Sequence, residues 1–369
     1  MEALWLWCTV LASDSVDRRD FLKSAPLALF GGLIPKVISG HNDYPTEVVD
    51  IHMHLVGESE SNGCFISSRS RRSVPFKFLR QFLEIDNKSS PDEQDRQYVQ
   101  MLRKQVESMP FHYYGILLAM DGIYNEKGEL DYDRTPFYIS NEYLFKVCRE
   151  SDHFYPGASV NPNRKDALEE LEKVLGNGAV LIKWLPNSQN IDPSDTGHIP
   201  FYRMLTEHNI PLLVHGGKEH TVPVEDQTLG NPDLLTIPLE EGVQVIAAHC
   251  ADSGGDRQGS YFERFLKLLD KYPNLYGDIS SLTFLHKTFK LRYFLNHPNL
   301  FDRLFYGSDF PLVSTPMISS LYFLGKLSIK EMINIEGIDN DLEKNLQIVR
   351  TLGIPEDCFR RGKKLLKMV

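Results

Sequence analysis

Four histidines and one aspartate stand at the ends of apolar runs, and that placement is the first sign of chemistry in the chain. Val48-Val49-Asp50-Ile51-His52-Met53-His54 reads as a β-branched strand ending in His-x-His. Residues two apart in a strand share a face, so His52 and His54 project together. Neutral imidazoles are the commonest protein ligands of zinc-like metals. Alone the pair is a weak signal, because His-x-His arises easily in a chain with 12 His. The pattern then repeats. Pro211–His215 ends in His215, Val245–His249 in His249 and Phe305–Asp309 in Asp309. Each residue has an ordinary reading singly: a buried, hydrogen-bonded histidine for His215 or His249, a turn aspartate for Asp309 before Phe310-Pro311. Together the five predict a site for one divalent metal or a pair, which lowers the pKa of water to about 7. Asp309 is placed to touch the metal and to serve as general base, then acid.

Residues so far apart must be gathered by a fold that brings strand ends together. Strand-like runs recur at 48–54, 114–120, 154–160, 179–185, 211–215, 243–249, 274–279 and 303–306. Amphipathic segments lie between them. In 166–175, Leu168, Leu171, Val174 and Leu175 fall on one helical face, with Gly176 at the expected C-cap. Phe201–His208 and Tyr261–Lys271 read the same way, and Pro273 stops the latter. Strand alternating with helix implies a parallel sheet with crossover helices. Eight units between 48 and 309 match a (β/α)8 TIM barrel, which typically takes about 250 residues. A doubly wound open sheet is the alternative, but only a closed barrel brings all these strand ends to one mouth.

Two segments exceed the barrel. Leu55–Pro110 is a long excursion after the first strand; its second half, 90–109, reads as the first barrel helix, started by Ser90-Pro91-Asp92-Glu93. Its first half, around 65–85, carries Arg69, Arg71, Arg72, Lys77 and Arg80 among Phe76, Phe78 and Phe82, the composition of a lid whose cations would meet an anionic substrate or solvent. Residues 316–369 read as helices capping the barrel. Around the mouth, Asp121, Trp184, Lys218 and Arg257 follow strand ends closely and are candidate substrate-binding residues, with Asn187, His220 and Asp252 beside them. Asp278 ends the seventh strand and is placed to hold an imidazole tautomer. Lys183 lies within the fourth strand, where a buried amine of lowered pKa can react, can pair with a substrate carboxylate, or can face a helix.

The D-x-H-x-H, V-H-G-G, A-A-H-C and G-S-D-F-P set resembles the amidohydrolase superfamily, in particular its amidohydrolase-2 branch, related to aminocarboxymuconate-semialdehyde decarboxylase. The resemblance spans roughly residues 45–369. It implies a divalent metal, zinc foremost, bound by His52, His54, His215 and Asp309. In single-metal members the counterpart of His249 positions water or the scissile group rather than ligating. In binuclear members the counterpart of Lys183 is carboxylated and bridges two metals. The expected function is a metal-dependent hydrolase acting on an amide, cyclic amide, ester or lactone, with Asp309 and His249 catalytic. A non-oxidative decarboxylase and a non-catalytic metal-binding barrel are the alternatives.

The formal net charge of −10, with Lys and Arg spread along the chain, argues against nucleic acid as a partner. Five Cys (Cys8, Cys64, Cys148, Cys250, Cys358) without a CxxC pair indicate neither a zinc ribbon nor a disulfide scaffold. At the N-terminus, Arg18-Arg19-Asp20-Phe21-Leu22-Lys23 resembles the twin-arginine signal, and an apolar segment 25–34 follows. Residues 1–40 are therefore expected to be an export segment and 41–369 a single domain. The expected location is the periplasm or cell envelope, with the cytoplasm as the alternative. The partners expected are a small-molecule substrate, the export machinery and, in a homo-oligomer, further copies of the chain.

Overall fold

The structure, a computed structural model, describes residues 45–368. The twin-arginine-like segment lies outside them. Eight parallel strands form one sheet in chain order: β1 (Glu47–His54), β2 (His112–Leu118), β3 (Phe154–Ala158), β4 (Leu181–Trp184), β5 (Leu212–His215), β6 (Val245–Ala248), β7 (Leu275–Asp278) and β8 (Leu304–Phe305). The sheet closes on itself: Ile51 N–H donates to Tyr306 O, His54 N–H to Phe310 O and Asp309 N–H to His52 O. This is the expected (β/α)8 barrel; the strands fall inside their expected runs except that β1 starts one residue early and β2 two residues early.

Helices α1 (Pro91–Glu107), α2 (Asn141–Arg149), α3 (Ala167–Gly176), α4 (Ile199–His208), α5 (Thr236–Glu240), α6 (Tyr261–Lys271) and α7 (Thr288–Leu295) carry the crossovers, and α8 (Ile329–Glu336), α9 (Asp341–Thr351) and α10 (Glu356–Leu365) follow β8. The starts obey capping chemistry. Ser90 accepts from Glu93 N–H ahead of Pro91, and Ser260 forms a reciprocal capping box with Glu263. Two details of α3 differ from expectation. Leu168 is 40% exposed, so the buried face is Leu171 and Val174. Gly176 stays helical, Asn177 is the cap, and the left-handed residue is Gly178 at φ 90°.

The barrel interior is packed, not hollow. Val49, Ile51, Ile116, Leu118, Leu181, Leu213, Ile246 and Phe305 meet there, and Leu366 and Met368 join them from just beyond α10. Gly362 lets α10 lie against β1, since a Cβ there would stand 2.7 Å from Val49 Cγ1. A larger cluster fills the layer between strands and helices.

One residue of slip in β1 decides where the histidines go. Asp50 pairs with Gly115 but Met53 pairs with Leu117, so β1 carries one extra residue. Such a bulge re-aims the side chains beyond it. Val49 and Ile51 face the barrel axis below the bulge. Above it, Met53 packs outward and would collide with any Cβ at Gly115, leaving His52 and His54 to face the mouth.

Candidate metal centre at the barrel mouth

His52, His54 and Asp309 come together at the C-terminal end of the barrel. The Nε2 atoms of His52 and His54 are 3.2 Å apart, and Asp309 Oδ1 lies 3.2 Å from His54 Nε2 and 3.7 Å from His52 Nε2. The other carboxylate oxygen, Oδ2, is 4.0 Å from His249 Nε2. The His249 ring stacks on His52 at 5.0 Å and meets His215 edge-on at 5.2 Å. The four imidazoles expected from the sequence thus form one continuous group, buried apart from half-buried His54.

Asp278 organises them. Its Oδ2 accepts from His52 Nδ1 at 2.8 Å, while Oδ1 accepts the backbone N–H of His249 at 2.8 Å and of Ser280 at 3.1 Å. The Ser280 hydroxyl donates to Asp278 and therefore accepts from His249 Nδ1, which also reaches Ser280 O at 3.0 Å. Both Nδ1 atoms thus carry hydrogen, and both Nε2 atoms present bare lone pairs to the mouth. Backbone strain helps to aim them. His249, Cys250 and Ala251 have φ of 56°, 53° and 48°, and Asp309 has φ 63°. Non-glycine residues rarely occupy this region, and it recurs at functional sites.

Burial sets the charges. It lowers the pKa of His52 and His249, and pushes His215 down to about 4 despite the opposing Glu219. These imidazoles are neutral at physiological pH, the state that ligates metal. Burial alone would raise Asp309 and Asp278. Once protonated in acid, the surrounding imidazoles outweigh it, foremost His249 for Asp309 and His52 for Asp278, and hold both carboxyls below the usual range.

Lys183 faces inward, two residues past Leu181, with Nζ 3.3 Å from His52 Nε2; the outward alternative is excluded. Burial pushes its pKa down to about 8 against Asp278, Asp309 and Glu219.

The four expected substrate contacts fare differently. Trp184, next to Lys183, must face outward; it is fully buried against Phe201 and Tyr202, and its Nε1 donates to Val160 O. It therefore packs in the helix layer, away from the mouth. Asp121 is buried and occupied by Gly122 N–H, Tyr124 OH, Asn161 N–H and Arg164, a bracing network rather than a free carboxylate. Lys218 and Arg257 are exposed on loops, as is His220. Asn187 is buried and ties Gly217 O to Gln227. Asp252 is buried and pairs with Lys287 at 3.2 Å. Of the lid cations, Arg71 and Arg80 both clamp buried Glu58, and Arg69 reaches Glu225 at 3.7 Å; none of these three is a free anion receptor.

Two groups at the mouth escaped sequence reasoning. Lys287 donates to Ser281 Oγ at 2.8 Å from a loop nine residues beyond Asp278, too far for a strand-end rule to reach. Glu219 is buried with Oε2 3.4 Å from His215 Nε2; it lies between Lys218 and His220, which are exposed.

The family model described as Amidohydrolase matches residues 49–322 of the 369. The chain belongs to the amidohydrolase family. No curated protein matches it. Among solved structures, this amidohydrolase is similar to an uncharacterised TIM-barrel protein from Bordetella bronchiseptica, with 17% identity and a TM-score of 0.53, covering 82% of this chain and 99% of that one. A probable 2-pyrone-4,6-dicarboxylic acid hydrolase from Acinetobacter baumannii aligns at 13% identity, TM-score 0.51, over 87% and 99% of the two chains. 5-carboxyvanillate decarboxylase from Sphingomonas paucimobilis aligns at 12% identity, TM-score 0.51, over 88% and 100%. At such identities these structures show the fold alone. The family is metal-dependent, and the donor set fits a divalent cation: the ligand atoms of His52, His54 and Asp309 lie close enough together to hold an ion, a group that His215 does not join, while Asp278 is spent on hydrogen bonds to His52 and His249.

Proposed function

We propose that this amidohydrolase is a zinc-dependent hydrolase that adds water to the sp² carbonyl carbon of a small-molecule amide, cyclic amide, ester or lactone. His52, His54, His215 and Asp309 would hold the cation, with Lys183 and His249 in reach of a second. The cation supplies Lewis acidity and lowers the pKa of water. The observation that carries the reading is Asp309: an ionised carboxylate with one oxygen on His54 and the other turned to His249. It takes the proton of the attacking water and returns it to the leaving group. The bare Nε2 of His249 accepts the water's second hydrogen and orients it. Stabilising an oxyanion would instead need a donor at that atom. Lys218 and Arg257, exposed at the rim, are proposed to meet the substrate. Lys183 stands against His52, where an ammonium would oppose the cation, so it acts either as a carbamate ligand or after losing its proton.

The second reading, a metal-dependent decarboxylase, draws on Lys183, which as an ammonium can receive a substrate carboxylate; Lys287 is already paired with Asp252. The test is product analysis on panels of lactones, esters, cyclic amides and aromatic or unsaturated carboxylic acids. New carboxylate without CO2 supports hydrolysis, and CO2 release supports decarboxylation. Turnover with the lactone, ester or amide panel that persists after chelation, or no turnover with zinc restored, contradicts the hydrolase reading; the latter leaves a metal-binding barrel. We further propose that residues 1–40 direct export to the periplasm or envelope and 41–369 form the catalytic domain. A fusion of residues 1–40 to a reporter that stayed cytoplasmic would refute the export proposal.

A further inference from the structure

The turn from His215 to Glu219 folds the chain back on the strand it has just left. Gly217 takes φ 95°, its N–H donates to Gly230 O at 2.8 Å, and a Cβ there would stand 2.7 Å from Ser253 O, so this reversal requires glycine. Gln227 then grips Glu219 from both sides. Its Oε1 accepts the Glu219 N–H at 3.0 Å and its Nε2 donates to Glu219 O at 2.7 Å. One carboxylate oxygen, Oε1, accepts the N–H groups of Thr221 and Val222. The other, Oε2, points back at His215 Nε2, 3.4 Å away. His215 is 7% exposed, and its Nε2 has no hydrogen-bond partner. A glutamate that served only to brace its loop would need Oε1 alone. Leaving His215 Nε2 buried without a partner, 3.4 Å from a carboxylate oxygen, costs free energy unless something stands between the two.

We propose that Glu219 is a ligand of a divalent cation, its Oε2 and the His215 Nε2 forming one edge of the coordination shell. Donor bonds of about 2.0–2.2 Å in a tetrahedral shell set neighbouring donors about 3.3–3.6 Å apart. The 3.4 Å between Glu219 and His215 lies in that interval, and the 3.2 Å edges His52–His54 and His54–Asp309 lie just below it. The mouth is thus edged by donors on two sides, β1 with Asp309 on one and His215 with Glu219 on the other. This assignment rests on the metal reading above and adds to it a carboxylate that no strand end supplies.

The experiment is zinc titration of the metal-free full chain, wild type against Glu219→Gln, by calorimetry and by metal analysis after desalting. Visible absorption of the cobalt(II)-substituted proteins is recorded beside it. The expected result for the variant is loss of one equivalent, or binding about 10–100-fold weaker at unchanged stoichiometry, with altered cobalt bands. Equal stoichiometry, affinity and cobalt spectrum in the two proteins would overturn the assignment. If the wild type itself takes up no metal, the metal reading falls and this assignment with it, so the two failures are told apart. Should the amide variant fail to fold, Glu219→Asp, which keeps the charge and withdraws the oxygen, provides the same comparison.

Discussion

Toward the N-terminal end of the barrel the strands turn in Val49, Ile116, Leu181, Leu213 and Ile246; toward the other end they turn in His52, Lys183, His215 and the reach of Asp309. On β4 and β5 the two environments are a single strand period apart, Leu181 to Lys183 and Leu213 to His215. The lower layer contributes stability through apolar burial, roughly 1.5–3 kcal/mol for each large side chain. The upper layer buries imidazoles, carboxylates and an amine, all of which cost free energy unless paired. The difference teaches where substitutions should separate fold from chemistry.

The sharpest break comes at the mouth. Asp309→Asn should lower turnover by about 10³-fold or more, through loss of both base and ligand. Removing a charge buried at 4% exposure should leave the melting temperature of the metal-free protein unchanged or raised. Steady-state kinetics and a thermal melt check the two halves together. Leu213→Ala, one period below His215, should do the reverse, costing about 2–5 kcal/mol in urea unfolding while the zinc stoichiometry of the folded protein holds.

Acid should sharpen the contrast further. Burial sets His215 at about 4 in the folded chain, against about 6.5 unfolded. The unfolded chain therefore takes the proton first. The stability that goes with a neutral His215 is complete above about pH 6.5 and is lost as pH falls through about 4, a contribution of about 3 kcal/mol. Urea unfolding of the metal-free protein across this window should show that fall, and His215→Gln should make it shallower without abolishing it, because burial lowers His52, His249 and His286 as well. Asp278→Asn comes next. By releasing the His52 tautomer it should weaken zinc binding about 10–100-fold, read by calorimetry. The smallest effect is expected from Asp121→Asn, whose carboxylate is spent on its own loop; KM should stay within about two-fold while stability falls by about 1–3 kcal/mol.

Much of this was legible from the chain. Apolar runs marked the strands, several of them closed by His or Asp, and Ser90-Pro91 and Pro273 marked helix ends. The bulge in β1 was not legible. Strict alternation puts Ile51 and Met53 on one face with Val49, and so turns His52 and His54 away from the axis. Only closure of the barrel, with Met53 wedged against Gly115, shows why both pairs face inward. Trp184 was misplaced by the opposite error: strand-end position was taken as sufficient, whereas parity with Lys183 already sends it outward. Glu219 was hidden because a loop has no period, and the reversal at Gly217 buries Glu219 while exposing Lys218 and His220 on either side of it.

The central claim is that side chains from β1 and the loop after β8 converge on one cation. A crystal of the full chain grown with zinc, measured at the zinc absorption edge, tests it most directly. The account predicts an anomalous peak at the mouth, about 2.0–2.2 Å from His52 Nε2, His54 Nε2 and an Asp309 oxygen. A mouth without a peak at full zinc loading, or a peak bonded to none of these three, would contradict it.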